Sequence, residues 1–401
     1  MKLVTVIMTV MLASCMVPAQ AQQKKTFKEK LIHFLDSSNV KNTDPQYIEL
    51  PAKKWRVVLN SGFDQLDLEM NSHQNYDWYD EVADDYTHVQ NDLLLRVKPP
   101  VTSTVGLWAG YLGWGFGYSV SLSGNKGINM SFNIATPSNG VNIRVRRFDF
   151  DKPYGARYNA TVGDWQDTDS GDYLELKEPM EIESFDFDGY WIFNQKRYAL
   201  AAAYGNSVIQ KRSAGSLIAG AMFHYQKFDL SQRSNYSNIS GYMLGLGKVK
   251  AYQAAIGLGY TYNWVPVRGL LVNAVVMPVI GLWNHLNIGF YKHDPTALIE
   301  ASDQGLVNPD IEDDWLRFIH PYLDRTESGN GKINVNLDAR VSISYRYKDW
   351  TFNVMGQGHR FSTKHENTSI KTLDWDIKLS AGLAFDNPFK KKKKDTNYQN
   401  Y

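Results

Sequence analysis

Residues 333–347 constrain this chain more than any other stretch. Ile333, Val335, Leu337, Ala339, Val341, Ile343, Tyr345 and Tyr347 are apolar, and Asn334, Asn336, Asp338, Arg340, Ser342, Ser344 and Arg346 between them are polar. A period of two is a strand with two chemically different faces. At ~3.3 Å per residue it is about 50 Å long, enough to cross a bilayer at a tilt and project beyond it. Lys348-Asp349 makes a tight turn, and Trp350, Phe352, Val354 and Gly356 resume an outward set. The unit is an up-and-down hairpin with an aromatic residue at its foot.

The same alternation recurs along the chain. Trp55, Val57 and Leu59 oppose Lys54, Arg56 and Val58; Leu93, Leu95 and Val97 oppose Asp92, Arg96 and Lys98. Ile128, Met130, Phe132 and Ile134 face away from Asn129, Ser131 and Asn133, and Val141, Ile143 and Val145 from Asn142, Arg144 and Arg146. Ile256, Leu258, Tyr260, Tyr262 and Trp264 form another face; the last is Trp375, Ile377, Leu379, Ala381, Leu383 and Phe385 against Asp374, Asp376, Lys378, Ser380 and Gly382. Repetition of weak alternating segments with aromatic ends predicts an all-β, antiparallel up-and-down transmembrane barrel. Gly-rich residues 110–117 and the apolar run 270–283 blur the period, so ten to fourteen strands fit. Twelve is the expectation, because single-chain bacterial barrels have even numbers.

Short connections fall at 124–127, 137–140, 265–269 and 348–349, all rich in turn formers. Long polar ones are expected near 71–90, 150–179, 228–250 and 292–332, with acidic clusters at Asp80, Glu81, Asp84, Asp85 and at Asp310, Glu312, Asp313, Asp314. Short periplasmic turns with long external loops suit an outer-membrane barrel. No later segment could cross a membrane as a helix: the most apolar, 269–283, is too short and carries Asn273 and Pro278.

The N-terminus reads as a targeting signal. Lys2 precedes an apolar run over residues 3–12, and Ala19-Gln20-Ala21 supplies the small residues that a signal peptidase reads, giving a signal peptide over 1–21 cleaved after Ala21. A competing reading takes Leu12-Ala13-Ser14-Cys15 as a lipobox with Cys15 lipidated. Residues 22–50 form an expected periplasmic segment with a short helix carrying Phe27, Leu31, Phe34 and Leu35 on one side, either a plug for the barrel or a solvated tether. The barrel is expected over 51–389, followed by a Lys-rich tail over 390–401.

Composition excludes several classes. Of 401 residues, 43 are basic and 42 acidic, and this balance gives no support to nucleic-acid binding. The single cysteine, Cys15, lies in the leader, so the mature body holds no internal disulfide and no thiolate metal cluster. The acidic loop at 310–314 lacks the ligand spacing of a calcium loop. No cofactor is expected.

Several segments carry a family resemblance: Tyr47-Ile48-Glu49-Leu50-Pro51; Val105-Gly106-Leu107-Trp108 with Gly113-Trp114-Gly115-Phe116-Gly117-Tyr118; Phe193-Asn194; Arg212-Ser213-Ala214-Gly215-Ser216; and Gly259-Tyr260-Thr261-Tyr262-Asn263-Trp264. Together they resemble DUF4421, a family of exported proteins of unknown function, over about residues 44–389. The resemblance implies an outer-membrane-type barrel and no assigned chemistry. The tail departs from the usual barrel ending, in which a terminal aromatic is read by the insertion machinery; Phe385 or Phe389 is the expected substitute.

An enzyme is not expected. Outer-membrane lipid hydrolases carry His and Ser two apart on one strand, both pointing the same way. None of the nine histidines has Ser two positions on, and His359 and Ser362 are three apart. His224, His285 and His359 in strand-like segments read as interface or lumen residues. The candidate lumen-facing set is Arg96, Lys98, Arg144, Arg146, Asp338, Arg340, Arg346, Asp374, Asp376 and Lys378. Such a lumen either conducts small anions or is filled by paired charges and conducts nothing. The expected role is therefore an integral barrel of the outer membrane of a Gram-negative-type envelope, structural or envelope-associated. A narrow channel for small solutes, anions among them, and a lipid-modifying enzyme are the alternatives. Its expected partners are outer-membrane lipid and the outer-membrane insertion machinery.

Overall fold

The computed structural model describes residues 43–80, 85–97, 100–123, 126–150, 156–162, 165–167, 180–229, 246–293, 301, 303–306, 319–365 and 368–386. The leader, the 26–35 helix, Lys98, Glu81, Asp84, the 310–314 cluster and the Lys-rich tail lie outside the described residues.

In chain order the elements are β1 (Ile48–Glu49), β2 (Trp55–Asp80), β3 (Asp85–Val97), β4 (Thr102–Tyr111), β5 (Trp114–Ser123), β6 (Lys126–Ala135), β7 (Asn139–Phe150), β8 (Ala156–Val162), β9 (Trp165–Asp167) and β10 (Met180–Ile192). There follow α1 (Leu200–Ala203), β11 (Ile209–Gln210), β12 (Ala214–Asp229), β13 (Leu246–Trp264), β14 (Leu270–His293), β15 (Ile319–Asn330), β16 (Asn334–Tyr347), β17 (Trp350–His365) and β18 (Thr368–Phe385). The wall runs β2-β4-β5-β6-β7-β10-β12-β13-β14-β16-β17-β18, antiparallel throughout. It closes by β18 on β2, in register from Phe385↔Trp55 to Thr368↔Ser72. The result is a closed barrel of twelve strands. β3 and β15 pair with the far ends of β2 and β14, and β8 and β9 continue from β3.

The loops differ from expectation at both ends. Much of 71–90 is strand, because β2 and β3 continue as a hairpin past the wall. At the lower end, where Trp55 and Phe385 pair, the turns at 112–113, 136–138, 265–269 and 348–349 are tight. The connection 193–213 at the same end is long and turns into the barrel. At the upper end β5 stops at Ser123 and β6 starts at Lys126, and β17 stops at His365 and β18 starts at Thr368. Lys53 Nζ lies 2.7 Å from Asp349 Oδ2, tying the start of the wall to the β16–β17 turn, and this hydrogen bond holds the Lys53 ammonium above the usual lysine range.

Alternation works in two opposite senses along one strand. On lower β13 the outer face is apolar, with Leu258 60% exposed, while Thr261 and Asn263 are buried inside. Higher up the polarity inverts: Val249 is buried inside and Lys248 and Lys250 lie outside. β10 does the same, with Phe185 and Phe187 opposite buried Asp186 and Asp188, then Glu181 and Glu183 opposite buried Ile182. β12 places Phe228 inside and Lys227 and Asp229 outside. The lower part is built to face hydrocarbon and the upper part to face water.

Aromatic side chains mark the change. Phe223 stacks on Trp283 at 6.5 Å, Tyr225 meets Tyr252 at 4.9 Å, and Tyr252 meets Trp283 at 6.3 Å. Trp264, Tyr347 and Trp350 are exposed at the lower rim. From Tyr252 to Trp264, at ~3.3 Å per residue and a tilt of ~40°, the band is roughly 30 Å tall, close to a hydrocarbon core. Above it, Lys227 bonds Glu181 at 2.9 Å and Lys248 bonds Asp229 at 3.1 Å on the outer face.

Candidate functional site

A twelve-stranded wall encloses more space than the eight strands whose side chains alone fill a barrel. Here the space is filled by an ionic belt, a folded connection and a small chamber between them.

The belt is built from long side chains that reach across the interior. On β7, Arg144 sends Nε to Asp186 Oδ2 at 3.1 Å, Nη2 to Asp374 Oδ2 at 2.9 Å and Nη1 to Asp376 Oδ1 at 3.0 Å. Arg146 bonds Ser184 Oγ at 3.0 Å and Asp374 Oδ1 at 2.9 Å. Arg340 on β16 bonds Asp338 at 3.1 Å and Asp188 on β10 at 3.4 Å, and its guanidinium lies 4.6 Å from the Tyr190 ring centroid. His224 Nδ1 is 3.0 Å from Asp186 Oδ1, and His359 Nδ1 is 3.3 Å from Asp338 Oδ1, with the two rings 6.1 Å apart. Arginine suits this role: its planar fork reaches several carboxylates while its charge stays fixed.

The connection 193–213 closes the lower end. Its apolar side, with Tyr198 and Leu200, packs on the inward Ile218, Ala255, Val275, Met277 and Val279 of β12, β13 and β14. This explains the blurred alternation of 270–283: lower β14 is apolar on both faces because one meets the exterior and the other meets this connection. Polar contacts fix the rest. Asn263 Nδ2 bonds Ala199 O at 3.0 Å, Asn353 Nδ2 bonds Ala203 O at 2.9 Å, and β11 pairs with β1. Asn206, at φ +48°, is held from three sides: its carbonyl accepts from Arg56 Nη1 at 2.6 Å and Arg346 Nη2 at 3.0 Å, and its Oδ1 from Ser344 Oγ at 2.8 Å. The barrel thus has a plug, but one formed by 193–213 with 43–50 at its edge; the helix expected for that task lies outside the described residues.

Between plug and belt, lined by β2–β7 on one side and by β16–β18 on the other, lies a chamber of about 210 Å³. Asn60, Asn129, Asn133 and Asn142 supply amides, Arg56 and Lys378 charge, and Trp108 a flat apolar surface. The glycines at 110–117 are explained here. A Cβ on Gly110 would sit 2.3 Å from Trp108 Cη2, and one on Gly115 would sit 2.0 Å from Trp108 Cζ2, so the indole lies against bare backbone.

The sequence profile of a domain family of unknown function, DUF4421, matches residues 44–385. The chain belongs to this family. The match covers the whole wall, the plug and the chamber, so all three belong to the DUF4421 region. No curated protein matches. Among solved structures, the outer membrane protease OmpT of Escherichia coli is similar at 8% identity over 84% of this chain and 98% of that one, with a TM-score of 0.38. The translocator domain of autotransporter NalP from Neisseria meningitidis is similar at 6% identity over 89% and 96%, with a TM-score of 0.31. The toluene transporter TodX of P. putida is similar at 8% identity over 84% and 91%, with a TM-score of 0.25. The architecture of this DUF4421 chain, on its own geometry, is a closed antiparallel barrel of twelve strands with an apolar band on its lower outer face.

The structure brings six candidate lumen residues together in the belt: Arg144, Arg146, Asp338, Arg340, Asp374 and Asp376. Lys378 lies below them, with Nζ 3.8 Å from Asp376 Oδ2, and lines the chamber. Arg346 holds the plug. Arg96 is not in the lumen. It is exposed, its Nε is 3.3 Å from Glu69 Oε2, and its register partner Glu69 faces away from the buried Leu68 and Met70. Arg96 belongs to the upper part of the barrel, where polar residues face out.

Sequence alternation did not name Asp186, Asp188, Arg56, Trp108, Tyr198 or Asn206 as site residues. For the two aspartates the signature was available, since Phe185 and Phe187 alternate with Ser184, Asp186 and Asp188. Asn206 and Tyr198 sit in a connection with no period to read.

Proposed function

We propose that this protein is exported and inserted into the outer membrane of a Gram-negative-type envelope, where it serves as a sealed barrel, structural or envelope-associated, that passes no solute at rest. The observation that carries this reading is the contact of Arg144 on β7 with Asp374 and Asp376 on β18, which spans the interior while the 193–213 connection fills the lower end. A channel that selects by charge needs unpaired charge along its path; the belt arginines are instead met by Asp186, Asp188, Asp338, Asp374 and Asp376.

The test is conductance of the purified, heat-modifiable protein in planar bilayers. Wild type should be silent, and Arg144→Ser combined with Arg146→Ser, checked for folding by the gel shift on heating, should conduct. Steady ohmic current through wild type would overturn the sealed reading in favour of the narrow channel, whose ion selectivity should then shift in Arg144→Glu. Recovery of the protein in the soluble fraction after carbonate extraction would remove the membrane assignment itself.

A further inference from the structure

The chamber between plug and belt is built with more specificity than a seal requires. Four cations line it, Arg56, Arg144, Arg340 and Lys378, and no carboxylate is among its lining residues. Arg144, Arg340 and Lys378 are paired with aspartates behind the chamber wall. Arg56 differs. Among the described residues, no carboxylate lies within ion-pair distance of it, although it is only 7% exposed. Its Nη1 holds the carbonyls of Gly205 and Asn206, at 3.3 and 2.6 Å, and its Nε is buried with no hydrogen-bond partner in the protein. A buried guanidinium whose charge and donor are both unanswered is costly, and a neutral side chain could hold the plug carbonyls without that cost.

Other lining groups are in the same condition. Thr351 Oγ1, Asn353 Oδ1 and Asn139 Oδ1 are buried without partners in the protein. Trp108 offers the chamber a flat surface, immobilised by its close approach to Gly110 and Gly115. A cation without a counter-charge, unpartnered amide and hydroxyl oxygens, and an aromatic platform together describe a recognition site. At about 210 Å³ the chamber falls below the ~300–1,000 Å³ of pockets that take drug-sized molecules, so its occupant is about one ring in size.

We propose that this chamber binds a small organic carboxylate carrying a single ring, with the carboxylate on Arg56 and the face of the ring on Trp108. The planar fork of arginine matches a carboxylate, and the ring replaces water on the indole face. The amides of Asn60, Asn133 and Asn142 lie on the wall of the same chamber, where substituents of the ring would meet them.

The experiment is calorimetric titration of the folded protein in detergent with two matched pairs, benzoate against benzamide and glucuronate against glucose. At least one carboxylate should bind saturably and about tenfold or more tighter than its neutral twin. Arg56→Gln should abolish that discrimination, and Trp108→Leu should weaken both members of the pair. Ser131→Phe, which puts a ring into the chamber from β6 and leaves Arg56 itself unchanged, should remove binding altogether, and the gel shift on heating confirms that each variant is folded. Equal affinity for a carboxylate and its twin, discrimination that survives Arg56→Gln, or no saturable binding of either carboxylate to wild type would each overturn the proposal. None of these outcomes bears on whether the wild-type barrel conducts.

Discussion

Arg144 Nη2 lies 2.9 Å from Asp374 Oδ2, although their strands, β7 and β18, have β6, β5, β4 and β2 between them on the shorter way round the wall. This contact is what turns a twelve-stranded ring into a filled body. Removing one partner of a buried ionic cluster leaves uncompensated charge and costs ~3–5 kcal/mol. Arg144→Ala should therefore lower stability by about that amount in urea unfolding of the folded protein. Arg144→Lys, which keeps the charge but cannot reach Asp186, Asp374 and Asp376 at once, should lose less. A loss below ~1 kcal/mol for the alanine variant would mean that water replaces the guanidinium without strain.

The plug is held through Asn206. Alanine there removes the Ser344 hydrogen bond, worth about 1 kcal/mol, and lacks the short polar side chain that lets asparagine tolerate the left-handed region. Glycine removes the bond and relieves the backbone. Limited proteolysis within 193–213 should accelerate more in Asn206→Ala than in Asn206→Gly, while the heat-modifiable barrel persists in both. Equal rates would show that the arginine contacts to the Asn206 carbonyl hold the plug unaided.

Gly115 and Trp108 should behave as one unit. In Gly115→Ala the new methyl would sit 2.0 Å from the indole, and overpacking of this kind costs ~1–3 kcal/mol. Trp108→Leu removes the two nearest of its contacts and leaves the Ala109 carbonyl at 2.8 Å, so the double variant should still be more stable than the sum of the single losses predicts. A double-mutant cycle with coupling indistinguishable from zero would refute the contact.

The apolar band makes its own prediction. Leu258 stands near mid-height on the outer face, where Leu258→Arg should cost ~2–4 kcal/mol if the band lies in lipid. Val267 is as exposed but sits in the lower turn, and Val267→Arg should cost ~0–1 kcal/mol. Refolding into lipid vesicles measures both, and equal costs would argue that the band does not face hydrocarbon.

What the sequence determined by itself is the strand and its lower faces. Alternation is local: each residue of 334–347 is assigned by its neighbours two positions away, and the recurrence of such segments with aromatic ends leaves a closed barrel as the arrangement without unpaired edges, while the number twelve rests on the even count of such barrels. The tertiary structure decided what fills the ring. Arg144 finds Asp374 and Asp376 more than two hundred residues away, and no period in the sequence links them. The 193–213 connection has no alternation, so its descent into the barrel depends on Val275, Met277 and Val279 offering an inward apolar wall. Arg96 lies where the faces exchange sense, because apolar residues point toward lipid below the upper aromatics and toward the interior above them. Only the height of each residue relative to that boundary decides which, and height is a property of the assembled wall.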